Sequence, residues 1–192
     1  MKAQYLAFFK PYEVLSQFTD KQNRLTLKDF IPIRGVYVAG RLDFRSEGLL
    51  FLTNDGIMIQ RLTDPRFVHT KTYLVQVEGI IPHEAIQRLE SEIVSPGLQT
   101  RLTKTSSIPA PDLPMRSKPV RDYHPTSWIQ ITLTEGKKHQ VRRMTAAVGY
   151  PTLRLVRWSI GRLTVNGLQP GQWRQLDHTE ITQMKMDLGI GP

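Results

Sequence analysis

The 192-residue chain has no cysteine. It therefore forms no disulfide and no thiolate metal site, as expected of a protein kept in a reducing, cytoplasmic compartment. No window approaches the ~18 consecutive apolar residues of a membrane span. No basic-then-apolar leader precedes the strand-like residues 5–9. The nucleotide-binding patterns GxxxxGK[ST] and GxGxxG are missing, and so is the GxSxG nucleophile elbow. The histidines, His69, His83, His124, His139 and His178, lack a ligand spacing such as HExxH, so neither a metal nor a cofactor is expected.

Acid is also scarce where base is plentiful. Residues 136–176 contain no Asp or Glu but carry Lys137, Lys138, Arg142, Arg143, Arg154, Arg157, Arg162 and Arg174. A second stretch sets Arg101, Lys104, Arg116, Lys118 and Arg121 against Asp112 alone. The net charge is +9 and the pI near 10.0. Segregation of one sign on this scale points to a polyanion, with nucleic acid the first choice. An anionic membrane is second, because no helix sets a basic face against a large apolar one.

At 40% hydrophobic residues the chain can build a core of its own. Period-2 and buried apolar runs predict strands over residues 5–9, 36–42, 49–53, 71–78, 127–134, 153–160 and 172–176. Helices are expected over 26–30, 57–62, 82–93, 138–148 and 178–186. Residues 95–125 contain six prolines (Pro96, Pro109, Pro111, Pro114, Pro119, Pro125) and read as a short strand near 98–103 followed by a long, mobile, basic loop. Frequent hairpin signals without strict alternation give an α+β class, with a largely antiparallel mixed sheet and flanking helices. One domain is expected, in two closely packed halves of roughly 1–65 and 66–192.

The most informative stretch is residues 40–56. There Asp43 follows an apolar run, a Ser46-Glu47-Gly48 turn leads into a second run, and Asn54-Asp55-Gly56 closes it. Taken alone, such an aspartate reads as a turn or cap residue. Held between two buried strands, its carboxylate would be fixed and partly dehydrated, as a nucleophile or base requires. Tyr73 reads either as a core ring on the Val75/Val77 face or as a platform for a nucleobase with a hydroxyl for proton work. Lys138 and Arg142 lie four apart on one face of a helix. There they bind phosphate, or Arg142 points into a cleft and pairs with a buried carboxylate.

These segments resemble the pseudouridine synthases of the ribosomal small-subunit synthase A family. Gly40-Arg41-Leu42-Asp43 with residues 46–56, Phe9-Lys10-Pro11 with Val14-Leu15, Lys71-Thr72-Tyr73, and residues 135–144 followed by Leu153-Arg154-Leu155-Val156-Arg157 match its motifs in family order. Phe44 departs from the pattern, which usually has a charged residue there. Most members carry an N-terminal RNA-binding module of the ribosomal S4 type. This chain starts at the first catalytic strand and looks most like the large-subunit type that lacks the module.

The resemblance implies a pseudouridine-synthase fold with a central RNA cleft and isomerisation of a specific uridine in large-subunit (23S) ribosomal RNA. It implies no cofactor, no metal, no membrane and a monomer. Asp43 would be the catalytic carboxylate, Tyr73 would lie against the flipped base, and Arg142 would contact Asp43 directly and hold it ionised. Arg41, Lys10, Lys137, Lys138, Arg143, Arg154, Arg157, Arg116, Lys118 and Arg121 would bind RNA. The same features also allow a non-catalytic RNA-binding protein of ribosome assembly, or the same chemistry on another RNA.

Overall fold

Strand β1 (Tyr5–Lys10) is buried at all six positions. Leu6 and Phe8 enter one hydrophobic cluster, while Tyr5, Ala7 and Phe9 enter a second on the opposite face. Strand β3 (Glu47–Thr53) divides in the same way, Leu50 and Leu52 against Leu49 and Phe51. Both strands therefore read as unbroken apolar runs, because the sheet between the clusters is covered on both sides. The computed structural model describes residues 2–91, 94, 95, 98–101, 103–120 and 123–191.

Five further strands complete the main path of that sheet. These are β4 (Lys71–Glu78), β7 (Lys104–Ile108), β8 (Thr126–Leu133), β9 (Thr152–Ile160) and β11 (Trp173–Gln175). The order is β11-β1-β3-β9-β4-β8-β7, with β2 (Tyr37–Val38) beside β3 and β10 (Leu163–Thr164) beside β9. All pairings are antiparallel except β3–β9, which is parallel and short, Glu47 opposite Val156 and Gly48 opposite Arg157. Gly48 has φ +102°, and a Cβ there would lie 2.3 Å from the Arg157 carbonyl oxygen. Only glycine lets the two strands approach this closely. Two short strands, β5 (Val94–Ser95) and β6 (Leu98–Gln99), pair antiparallel as a separate two-stranded sheet.

The helices are α1 (Gly56–Thr63), α2 (His83–Glu90), α3 (Gln140–Ala147) and α4 (His178–Asp187), with a 3-10 turn at Leu27–Asp29. Asp55 caps α1 by accepting from the amides of Ile57 and Met58, which satisfies two otherwise orphaned donors. Val141, Met144 and Val148 face the core as their spacing predicts. The α+β class and the mixed, mostly antiparallel sheet match the sequence expectation.

Several boundaries differ, among them the start of α3 at Gln140, which leaves Lys138 outside the helix and off the face that carries Arg142. The strand expected over 36–42 pairs only at Tyr37–Val38, with one further amide bond from Ala39 to Phe51. Gly40, at φ +96°, then turns the chain out of the sheet, so Asp43 sits in a turn. In the stretch expected to be a loop, β7 forms an edge strand beside β8. Its Thr-Ser-Ser sequence carries no apolar alternation. Helix α2 ends at Glu90, and Ile93 lies outside the described residues.

Candidate active site

Asp43 occupies a turn whose backbone is gripped from several sides. Arg157 donates from Nη2 to the Gly40 carbonyl at 3.0 Å. The Ser16 hydroxyl donates to the Leu42 carbonyl and accepts from the Leu42 amide. The Ser46 amide donates to the Asp43 carbonyl. Lys10 Nζ and the Glu13 amide both reach the Phe44 carbonyl, at 3.3 and 3.0 Å, and Arg142 Nη2 donates to the Arg45 carbonyl at 2.7 Å. Three cations thus hold carbonyls on either side of Asp43, while its carboxylate remains 38% exposed at the mouth of a cleft. The turn is pre-organised by charge-assisted bonds, which are stronger than neutral ones.

The cleft encloses about 760 Å³, within the range of small-ligand pockets. Its far wall is β4, where strand alternation puts Lys71 and Tyr73 on one face. Tyr73 is buried and packs into the same cluster as Val75, so the core reading holds for its ring while its edge lines the cleft. Arg157 is the cross-strand neighbour of Tyr73. It is buried, donates from Nε to the Leu49 carbonyl at 2.8 Å, and lies beside the Tyr73 hydroxyl. Burial pushes its pKa down, against the pull of Tyr73. Lys71 is pushed down to about 8, first by burial and then by Arg157. His69, its Nδ1 at 3.2 Å from the Phe67 carbonyl, is pushed to about 4 by burial and is neutral at pH 7.

Arg142 is not where the sequence reading placed it. Its guanidinium bonds the carbonyls of Arg45 and Thr152 and makes no direct ion pair with Asp43. Among the described residues the basic group within ion-pair distance of the carboxylate is His139, with Nε2 at 3.5 Å from Asp43 Oδ1. His139 sits at φ +52° immediately before α3, a left-handed conformation that costs a non-glycine residue energy and is common at functional sites. In the sequence His139 shows no ligand spacing, and nothing but its place before a basic helix marks it out. Asp43 still acts on Arg142 through space, raising a pKa that burial lowers by more.

The basic residues divide by burial. Arg41, Lys137 and Lys138 are exposed and line the cleft mouth with Glu135. Arg143 is half-buried on α3. Lys118 is exposed, and Arg116 stacks over Tyr12 at 4.2 Å while bonding the Lys118 carbonyl. Arg121 lies outside the described residues. Three candidates for RNA contact face inward instead. Lys10 is fully buried, with Nζ on the carbonyls of Pro11, Val14 and Phe44, and burial pushes it down to about 7. Arg154 forms a bidentate pair with buried Glu47 at 3.1 and 2.9 Å and also reaches the Pro114 carbonyl. Arg157 is the third. Lys10 and Arg157 are 0% and 2% exposed and Arg154 9%, so little of any of them faces solvent.

The sequence pattern of RNA pseudouridylate synthases matches residues 4–147. The chain is 49% identical over 173 residues to the ribosomal large subunit pseudouridine synthase E of Vibrio parahaemolyticus, covering 89% of this chain and 73% of that one. It is 49% identical over 170 residues to the protein of the same name from Xanthomonas campestris, covering 86% and 91%. A crystal structure of a pseudouridylate synthase superposes with a TM-score of 0.78 at 28% identity, over 95% of this chain and 74% of that one.

Proposed function

The chain belongs to the RNA pseudouridylate synthase family, and from that premise we propose that it isomerises a specific uridine of large-subunit ribosomal RNA, as a cytoplasmic monomer. The relatives named for the large subunit support the substrate. The observation that carries the chemistry is Asp43 and Tyr73 lining one cleft, the aspartate on a turn held by Lys10, Arg142 and Arg157.

Pseudouridine formation breaks the N1–C1′ bond, turns the uracil and joins C5 to C1′. The C5 proton leaves and N1 gains one, so nothing is oxidised and no group is transferred. The base is unreachable in a stacked helix and must be flipped, and stacking on an aromatic ring offsets part of that cost. Asp43 acts on the ribose as nucleophile or base, and Tyr73 supports the base. Arg142 acts on the turn through the Arg45 carbonyl. His139 Nε2 stands 3.5 Å from the same carboxylate.

The test is tritium release from C5-labelled large-subunit RNA. Asp43→Asn keeps the shape of the side chain and removes its charge. It should abolish release while RNA affinity stays within a few-fold. Appreciable turnover by the Asn variant removes Asp43 from the chemistry. Tight RNA binding with no release by the wild-type protein favours the non-catalytic assembly role.

A further inference from the structure

Lys71 is a half-buried ammonium without a counter-ion. Among the described residues no carboxylate lies within ion-pair distance of it, or of Arg157 behind it. Among the described residues its ammonium donates no hydrogen bond, whereas Lys10, Arg142 and Arg157, which grip the Asp43 turn, each donate to at least two main-chain carbonyls. Asp43 raises Lys10 and Arg142, but Lys71 feels only burial and the repulsion of Arg157. Two desolvated positive charges therefore line the cleft with Tyr73, and neither has a carboxylate partner among the described residues; Arg157 is held by carbonyls, Lys71 is not. Burying charge this way costs stability unless something pairs with it, and an arrangement kept at such a cost marks a site that a ligand completes.

The missing group is an anion that enters with the substrate. Uracil and ribose are neutral until the N1–C1′ bond breaks, so in the bound substrate it is the backbone of the RNA that supplies one. We propose that Lys71 binds a phosphodiester flanking the uridine turned against Tyr73, with Arg157 adding its field from beneath. This rests on the function proposed above, since it names the part of the same substrate that Lys71 holds. The contact differs from the exposed basic rim in forming only when the nucleotide has entered the cleft. It thereby couples base flipping to a gain that a merely docked RNA does not receive.

Lys71→Gln, Lys71→Arg and the wild type are compared in single-turnover tritium release on a transcript of large-subunit RNA, across a salt series, with thermal melts of each protein. The Gln variant should need about tenfold more RNA for half-saturation. Its slope of log affinity on log salt should be shallower by about 0.7, the increment of one phosphate on a single strand. Lys71→Arg should restore both. Because the Lys71 ammonium has no counter-ion among the described residues and is repelled by Arg157, the Gln variant should melt at the wild-type temperature or above it. A lower melting temperature with an unchanged salt slope would show Lys71 to be structural and overturn the proposal. So would an Arg variant that behaves like Gln. Failure of the wild type itself to release tritium would refute the proposed function instead, and the salt slopes would still be measurable as binding.

Discussion

The guanidinium of Arg142 reaches the main-chain carbonyl of Arg45, two residues beyond Asp43, at 2.7 Å, and spans from there to the carbonyl of Thr152 at 3.2 Å. It ties the start of α3 and the start of β9 to the turn that carries the carboxylate. A residue that positions a reacting group through its backbone governs rate by geometry, and a displacement of about 1 Å costs roughly 10²-fold. Arg142→Ala should therefore lower the single-turnover rate by about two orders of magnitude and change RNA affinity little. Arg142→Lys should recover only part, because one ammonium does not reproduce two donors held in a fixed fork. Full activity in the Ala variant would leave Lys10, Ser16 and Arg157 sufficient to hold the turn.

Lys10 gives the protein a predictable dependence of stability on pH. Its folded pKa is about 7, against about 10.4 in an unfolded chain. Between those values the unfolded state binds a proton that the folded state lacks, so the Lys10 contribution makes stability rise with pH. Below about pH 7 both states are protonated, and the contribution is constant and least favourable. Lys71 adds a term of the same sign, but it is common to wild type and a Lys10 variant and cancels in their difference. In urea unfolding, the stability of the wild type relative to Lys10→Met should climb from neutral to alkaline pH. A flat or falling difference would mean that the three carbonyls keep Lys10 charged throughout.

The parts of the molecule legible in its sequence are those set by local pattern. Runs 5–9 and 49–53 are apolar at nearly every position and are central strands; 71–78 and 127–134 are strands as expected, and the structure pairs them. Asp43 and Tyr73, chosen from separate segments, line one cleft. Direction of charge was not legible. In one dimension Lys10, Arg154 and Arg157 look like the rest of a basic surface, yet each points inward. What turns them is a carbonyl or carboxylate supplied from far along the chain, such as Glu47 for Arg154 or Gly40 for Arg157. The register shift between Thr72 and Tyr73 places Arg157 opposite Tyr73, and no periodicity announces such a bulge. The same limit explains Arg142: helix spacing placed its base near the core but could not say that Arg45 offers a carbonyl nearer than the Asp43 carboxylate.

Burial divides the basic residues into two groups with opposite mutational behaviour. Arg41 and Lys138 are exposed at the cleft mouth, where a phosphate contact costs no desolvation of a buried group. Replacing either with Ala should weaken RNA binding regardless of sequence and make the salt slope shallower by about 0.7 to 0.9, with little change in unfolding midpoint. Arg154 should do the reverse. Its loss strands Glu47, 1% exposed at the junction of β3 and β9, as an unpaired buried carboxylate, a defect worth about 3–5 kcal/mol. Arg154→Ala should therefore unfold at markedly lower urea, while the folded fraction binds RNA with the wild-type salt slope. The double replacement with Glu47→Gln, which removes the stranded charge, should recover part of that stability. If Arg154→Ala instead keeps its midpoint and loses salt dependence, Arg154 leaves Glu47 to reach the RNA, and the ion pair belongs to the free protein alone.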